Sequence, residues 1–123
     1  PLYRTGISVG DYPIDHHHKK NTAAPQHLNF YPVPSYAIPM GALIVPGIEG
    51  FIVADKSISV SNVVNGTTRL QPVVLLTGQA AGAMASLTVK ERKTPDQLSV
   101  RKVQQILLDQ KAMIQPFLDV PPA

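Results

Sequence analysis

The stretch GIEGFIVADK, residues 47–56, decides the fold. It opens with a glycine-containing turn at residues 47–50, and a short continuous apolar run follows at residues 51–54. Because a strand that lacks alternation is buried on both faces, this run is typical of a parallel sheet covered by helices. The sequence therefore predicts one buried parallel strand, followed by a polar loop over residues 55–68.

Two helices are predicted after that loop. The first begins near Pro72, since proline is favoured at the first helical position, and ends near Lys90. Thr68 and Gln71 have the spacing of a capping box, which would start the helix a few residues earlier. The second is an amphipathic helix over residues 100–110. Its predicted buried stripe consists of Val100, Val103, Ile106 and Leu107.

The first helix carries small residues on one face, namely Gly78, Ala81, Gly82 and Ala85. Glycine inside a helix costs about 0.5–1 kcal/mol relative to alanine, so two glycines predict that another part of the protein approaches the backbone closely. Residues 73–89 carry no charge and reach the lower edge of membrane-spanning length. Their polar side chains and the absence of flanking Trp or Tyr favour a helix buried in a protein core, and no membrane span is predicted.

Residues 1–47 contain seven prolines, which forbid long helices and fit extended strands joined by turns. Residues 7–9 and 12–14 alternate as edge strands do, and residues 30–38 would form the returning strand. The first part of the chain is therefore predicted to be a proline-rich β segment.

Charged residues make up only 15% of the chain, and the formal net charge is +3. So low a charge content predicts that part of the surface is covered by something else, and that the isolated chain self-associates. The basic residues are too scattered to track a phosphate backbone, so no nucleic-acid partner is predicted. Cysteine is absent, which excludes disulfides, thiolate metal sites and a cysteine nucleophile.

Neither end of the chain has the pattern of a closing element, so the chain is predicted to be a piece of a longer protein. The change in composition near residue 47 separates the proline-rich segment, residues 1–47, from the α/β unit, residues 48–112. Residues 113–123 end among prolines and are interpreted as a linker.

Two candidate binding positions flank the polar loop. Asp55 follows the predicted strand, and ligands in open α/β sheets lie beyond the carboxyl ends of the strands. Arg69 and Gln71 lie at the predicted start of the long helix, where free N–H groups and the helix dipole attract anions. The alternatives are an aspartate that only caps a loop and an ordinary capped helix whose arginine is solvated.

A third candidate is the polar group formed by Asp11, Asp15, His16, His17, His18 and His27. Histidine titrates near neutral pH, so general acid–base chemistry is one hypothesis for this group. A metal-binding module is another, but no second cluster completes a ligand set, and no metal site is predicted. The third is a solvated, histidine-rich strand end.

Several short motifs follow one another along the chain. They are GDYPID at residues 10–15 followed by His17, YAIP at 36–39, GIEGFIVA at 47–54, SIS at 57–59, and Gly66, Arg69, Pro72 and GQAAG at 78–82. Together they cover about residues 6–110 and resemble the C-terminal part of the FAD-dependent oxidoreductase family.

The resemblance implies a glutathione-reductase-like fold. The chain would be a fragment of a Rossmann-like FAD-binding domain, with one buried parallel strand and two C-terminal helices. The G-x-G-x-x-G fingerprint of that fold does not occur in the chain, so it would lie in an N-terminal half of the same polypeptide. The small-residue face of the long helix would then pack against the sheet or against this N-terminal half. FAD is accordingly expected in the full-length protein and not in the isolated fragment.

The resemblance also assigns cofactor contacts. Asp55 would lie near the ribityl chain of FAD, and Lys56 would supply positive charge where many family members have Ala-Gly-Arg-Cys and this chain has Ala54-Asp55-Lys56-Ser57. Arg69, Leu70 and Gln71 would place a helix N-terminus at the pyrimidine edge of the flavin, where negative charge develops.

The proline-rich segment would belong to the substrate side, with Asp15 and His17 as acid–base residues. Residues 113–123 would lead into a further module. The resemblance thus implies an oxidoreductase fragment whose substrate is a small molecule or carbohydrate that the sequence does not specify. The alternative is a scaffold without flavin activity in a carbohydrate-processing or carbohydrate-binding surface protein, because some relatives are labelled xanthan lyase. The sequence leaves the cellular compartment open.

Overall fold

The computed structural model describes residues 2–15 and 32–116. It is a small mixed α/β structure in which a two-stranded sheet packs against helices. The elements are β1 (Gly6–Gly10), β2 (Tyr36–Pro39), α1 (Asn62–Thr68), α2 (Gln71–Glu91) and α3 (Val100–Asp109).

The sheet is antiparallel. Val9 lies opposite Ala37, and Gly10 lies opposite Tyr36. Every residue of β1 is buried, so both faces of this strand are covered, and α2 is one of the elements that contact it. The predicted strand at residues 7–9 is confirmed, whereas residues 12–14 form no strand.

The returning strand is shorter than predicted. Within residues 32–38, the strand begins only at Tyr36, and residues 32–35 are irregular. Pro32 and Pro34 lack the N–H groups that a ladder needs, which explains why pairing starts after them.

The prediction of a buried parallel strand at residues 51–54 is wrong for the described part of the chain. Ile52 makes one isolated antiparallel bridge to Ile44, and the N–H of Val53 donates to the Leu43 carbonyl at 2.9 Å. The side chain of Phe51 is 49% exposed. A strand of a buried parallel sheet pairs with neighbouring strands and is covered by helices on both faces. In the described residues, this segment pairs only with residues 43–44, and the pairing is antiparallel.

Helix α2 confirms the long predicted helix, with its start one residue before Pro72. The predicted capping box is wrong, because Leu70 is the N-cap and no side chain caps it. Thr68 belongs instead to α1, where its hydroxyl donates to the Val64 carbonyl at 3.2 Å. The two start signals, Thr68 and Pro72, therefore belong to two different helices.

Helix α1 lies inside the segment that was predicted to be a loop. Ser61 caps it by accepting a hydrogen bond from the Val64 N–H at 3.3 Å. Asn65-Gly66 is a turn signal by local preference. Burial of Gly66, Thr67 and Thr68 overrides that preference, so the helix depends on tertiary contacts.

The core lies between the sheet and the two longer helices. In α3, Val103 and Leu107 are fully buried, and Val100 and Ile106 are partly buried against them, so the predicted stripe is confirmed. The fully or almost fully buried residues of α2 are Val73, Thr77, Ala80, Ala83, Met84 and Leu87.

The opposite face of α2 is open in the described residues. Leu75 is 73% exposed and Val89 is 80% exposed, and a Cβ added to Gly78 or Gly82 would meet nothing within 4 Å. The sheet is therefore not the partner of this face, and packing against an N-terminal half stays a prediction. By length and composition α2 could cross a membrane, but its other face packs into the core.

Candidate functional site

The segment that follows β1 lies against the turn between α1 and α2. The Asp15 N–H donates to the Gly66 carbonyl at 3.1 Å. Arg69 Nη2 donates to the Asp15 carbonyl at 3.0 Å and lies 3.5 Å from Asp15 Oδ2. Two residues that were predicted on separate grounds, Asp15 and Arg69, are thus brought into direct contact.

Two hydrogen-bonded hydroxyl groups, those of Tyr36 and Thr67, also hold this segment. Thr67 Oγ1 donates to the Tyr12 carbonyl at 2.7 Å, and the Tyr36 hydroxyl lies 2.8 Å from Thr67 Oγ1. Burial, together with the negative charge of Asp11, raises the pKa of Tyr36, against the opposing effect of its hydrogen bond to Thr67. The phenol therefore stays protonated at neutral pH.

Gly10 makes this arrangement possible. A Cβ at Gly10 would lie 2.2 Å from Cζ and 2.3 Å from the hydroxyl oxygen of Tyr36. No side chain fits there, so the aromatic ring packs directly on the glycine backbone. The motif GDYP at residues 10–13 contains this requirement, but nothing in the sequence connects it with Tyr36. We call the region formed by residues 10–15, 36 and 66–71 the junction.

The N-terminus of α2 forms one edge of the junction. No side chain caps Leu70, and the first turn, which starts at Gln71, contains no acidic residue. Neither the N-cap side chain nor an acidic residue of the first turn therefore compensates its first N–H groups and the positive end of the helix dipole. Arg69 adds a positive charge directly before the helix, which makes this edge suited to an anionic or hydrogen-bond-accepting group.

The other predicted cofactor residues lie in a tight turn at residues 55–57, which contacts α2. Asp55 is exposed and has a φ of 62°, in the left-handed region that favours glycine. Asn65 Nδ2 donates to the Lys56 carbonyl at 3.0 Å, so α1 holds this turn in place. The C-cap of the same helix, Arg69, contacts Asp15. Asp55 was predicted because it follows a strand; the structure places it in a strained turn instead.

The histidine part of the sequence prediction lies elsewhere. His17, with His16, His18 and His27, falls outside the described residues. Within residues 2–15 and 32–116, no three His, Asp or Glu side chains are grouped as a metal site would require.

A cavity of about 310 Å³ opens beside the junction. Tyr36, Thr67 and Thr68 line it together with apolar side chains, and all three of these residues are at most 5% exposed. Two of the lining residues, Ile14 and Thr68, directly precede Asp15 and Arg69 in the sequence, so the cavity lies beside this contact. The apolar lining includes Ile14, Val33, Ile38, Ala42, Val60 and Val64.

A family model described as FAD dependent oxidoreductase matches residues 2–107. No curated protein and no solved structure matches the chain. The family match includes β1, the junction, all of α2 and most of α3.

Proposed function

Because the chain belongs to the FAD-dependent oxidoreductase family, we propose that it is the flavin-contacting C-terminal part of an oxidoreductase. Family membership implies FAD in the parent protein. The finer proposal is that an N-terminal half of the same polypeptide binds the pyrophosphate and completes a Rossmann-like domain around this chain. The observation that carries it is the contact between Asp15 and Arg69, which joins the proposed substrate side to the proposed flavin side. The family match gives no support to the carbohydrate-processing alternative.

The chemistry of the junction fits a flavin. An uncapped helix N-terminus without acidic residues offers hydrogen-bond donors and positive potential. We propose that Arg69, Leu70 and Gln71 hold the pyrimidine edge of the flavin there. When bound, FAD supplies a two-electron acceptor for the oxidation of a substrate.

The turn at residues 55–57 is proposed to contact the ribityl chain through Asp55 and Lys56. The strained backbone of Asp55 supports this proposal, because residues in the left-handed region persist when the surroundings or a function require them. An aspartate carboxylate accepts hydrogen bonds from hydroxyl groups, which glycine at the same position would not do.

Asp15 is proposed to accept or donate a proton on the substrate side, with His17 as its partner. Arg69 fixes the Asp15 backbone by a hydrogen bond to its carbonyl and keeps a guanidinium near its carboxylate. Any proton that Asp15 handles therefore moves next to the residue proposed to contact the flavin.

The visible absorption spectrum of the full-length protein tests the proposal. We expect a flavin spectrum whose chromophore is released on denaturation. A colourless protein that also fails to bind added FAD would contradict it. Residues 1–123 alone should bind FAD weakly or not at all in calorimetry, because the pyrophosphate site is assigned to the other half.

Asp55→Gly tests the ribityl contact more sharply. Glycine relieves the left-handed strain, so stability should rise by up to about 1 kcal/mol, while FAD affinity in the full-length protein should fall. Lys111→Gly is the matched control, because Lys111 has a φ of 60° after α3. It should give a similar gain in stability with unchanged FAD affinity. Equal FAD affinities for Asp55→Gly and the unmodified protein would refute a role for this carboxylate.

A further inference from the structure

The directions of the hydrogen bonds beside the cavity are fixed by counting protons. A hydroxyl group carries one hydrogen, and Thr67 uses its hydrogen to donate to the Tyr12 carbonyl. The bond between Tyr36 and Thr67 must therefore run from the Tyr36 hydroxyl to Thr67 Oγ1. Tyr36 has then used its only hydrogen, and its oxygen retains lone pairs that can accept.

The Thr68 hydroxyl has also used its only hydrogen within the protein. It donates to the Val64 carbonyl at 3.2 Å, which leaves its oxygen as an acceptor. The three buried hydroxyls of the cavity, on Tyr36, Thr67 and Thr68, have therefore all used their hydrogens within the protein. The buried residues of the cavity lining therefore carry hydroxyl oxygens that can only accept, among apolar side chains.

The volume and the lining of the cavity are those of a small-molecule site. Its rim includes the exposed residues Tyr3, Ser59 and Val64, so a ligand can enter from solvent. Its volume of about 310 Å³ is roughly twice that of a cavity of about 150 Å³ that holds benzene, so two fused rings fit. Mostly apolar walls with a few placed polar groups are typical of binding pockets.

We infer that this cavity binds a small, largely apolar molecule that carries one hydroxyl or amine hydrogen, which it donates to the oxygen of Tyr36. A ligand whose only polar atom is an acceptor, such as an ether or ketone, would meet the Tyr36 oxygen without a hydrogen between the two atoms. Such a ligand loses its hydration and gains no bond, so the cavity discriminates against it. The site depends on the cavity and the three hydroxyls alone and does not depend on the flavin proposal.

Two probes of similar size test this inference, 2-naphthol as a donor and 2-methoxynaphthalene as an acceptor. Calorimetric titration of the full chain measures the ratio of their dissociation constants. In the Tyr36→Phe variant we expect that ratio to shift against 2-naphthol by roughly fivefold to tenfold, the effect of one ordinary hydrogen bond. A purely structural role of Tyr36 would weaken both probes equally, and the ratio would not move.

A second variant should shift the ratio of the two dissociation constants through the hydrogen of Tyr36. Thr67→Val removes the acceptor that Tyr36 donates to, so the Tyr36 hydrogen becomes available to a ligand. We expect the ratio to shift toward 2-methoxynaphthalene. Val64→Trp, at the exposed rim, should weaken both probes by obstructing the entrance. Failure of both probes to saturate the unmodified chain, or an unchanged ratio in both hydroxyl variants, would overturn the inference, whatever the flavin content of the protein.

Discussion

The two ends of α2 are built differently. At the C-terminal end, Arg92 is in the left-handed conformation and its N–H donates to the carbonyls of Thr88 and Val89. Glu91 binds Lys102 of α3 and lies 3.1 Å from Lys93 Nζ. At the N-terminal end, no side chain caps the helix and no acidic residue occupies its first turn.

We propose that this difference separates the part of α2 that stabilises the fold from the part that functions in binding. Contacts within the chain satisfy the carbonyls of Thr88 and Val89 near the end of α2, and the ion pair of Glu91 with Lys102 joins α2 to α3. The first N–H groups of α2 have no such partner among the described side chains, and the residues beside them are those proposed for the flavin and the substrate side. We therefore propose that the C-terminal end holds the fold together and that the N-terminal end binds a ligand.

The largest expected effect is on the junction at the N-terminal end. Gly10→Ala places a methyl group on the Tyr36 ring, which must move and lose its bond to Thr67. We expect a loss of about 2–3 kcal/mol in the free energy of unfolding. Urea denaturation measures it, with Gly41→Ala as the control, because a Cβ at Gly41 would meet nothing within 4 Å. Equal stability of the two variants would show that the ring is not held as described.

Arg69→Met addresses function at the same end. The Arg69 side chain is one third exposed, so its loss should cost at most about 1 kcal/mol of stability. We expect the dissociation constant for FAD in the full-length protein to rise roughly tenfold, since a charged donor is lost. Lys102→Met, which removes a charge at the opposite end of α2, is the control and should leave FAD binding unchanged. If both variants bind FAD as the unmodified protein does, the proposed division between the ends of α2 fails.

The middle of α2 gives a smaller effect. Gly82→Ala should stabilise the chain by about 0.5–1 kcal/mol, because the added methyl group meets open space and alanine is the better helix former. Thermal unfolding of the chain measures this gain. In the full-length protein, a loss of stability in place of a gain would show that the N-terminal half covers this face, as the sequence predicts.

The smallest expected effects concern how the free energy of unfolding depends on pH. This free energy should fall at acid pH, the acid limb, and at alkaline pH, the alkaline limb. The pKa of Glu91 is lowered by its bonds to Lys102 and Lys93, so this stabilisation is present above the usual glutamate pKa and is lost as pH falls through the lowered value. The pKa of Tyr36 is raised, so its stabilisation is present below the usual tyrosine pKa of about 10 and is lost as pH rises through the raised value.

Denaturation at a series of pH values separates these limbs. Glu91→Gln should flatten the acid limb and leave the alkaline limb intact, and Tyr36→Phe should do the reverse. Unchanged slopes on both limbs would contradict the assignment of one titrating group to each end.

Local patterns in the sequence predicted the helices well. The apolar spacing of α3 placed Val103 and Leu107 in the core, and Pro72 marked the start of α2 within one residue. They misjudged α1 and residues 51–54, because a seven-residue helix and a lone apolar segment take their structure from neighbours. Local preference carries no information on which neighbours are present.

The candidate site divides in the same way. Helix-terminus chemistry and the family resemblance predicted Arg69, Leu70 and Gln71 as cofactor-binding residues. The contact of Arg69 with Asp15, 54 positions away along the chain, is visible only in the structure. The same holds for Tyr36, whose partner Thr67 lies 31 positions away.

The sequence by itself determined the family, the long helix and the residue types of the junction, because these depend on composition, spacing and local order. The tertiary structure alone decided that Gly10 underlies Tyr36 and that Asp55 is in the left-handed region. It also decided that the hydroxyls of three residues lining one cavity have all used their hydrogens. The physical reason is that hydrogen bonds and close contacts join residues far apart in the chain. Their partners are set by how the elements pack and not by any nearby residue.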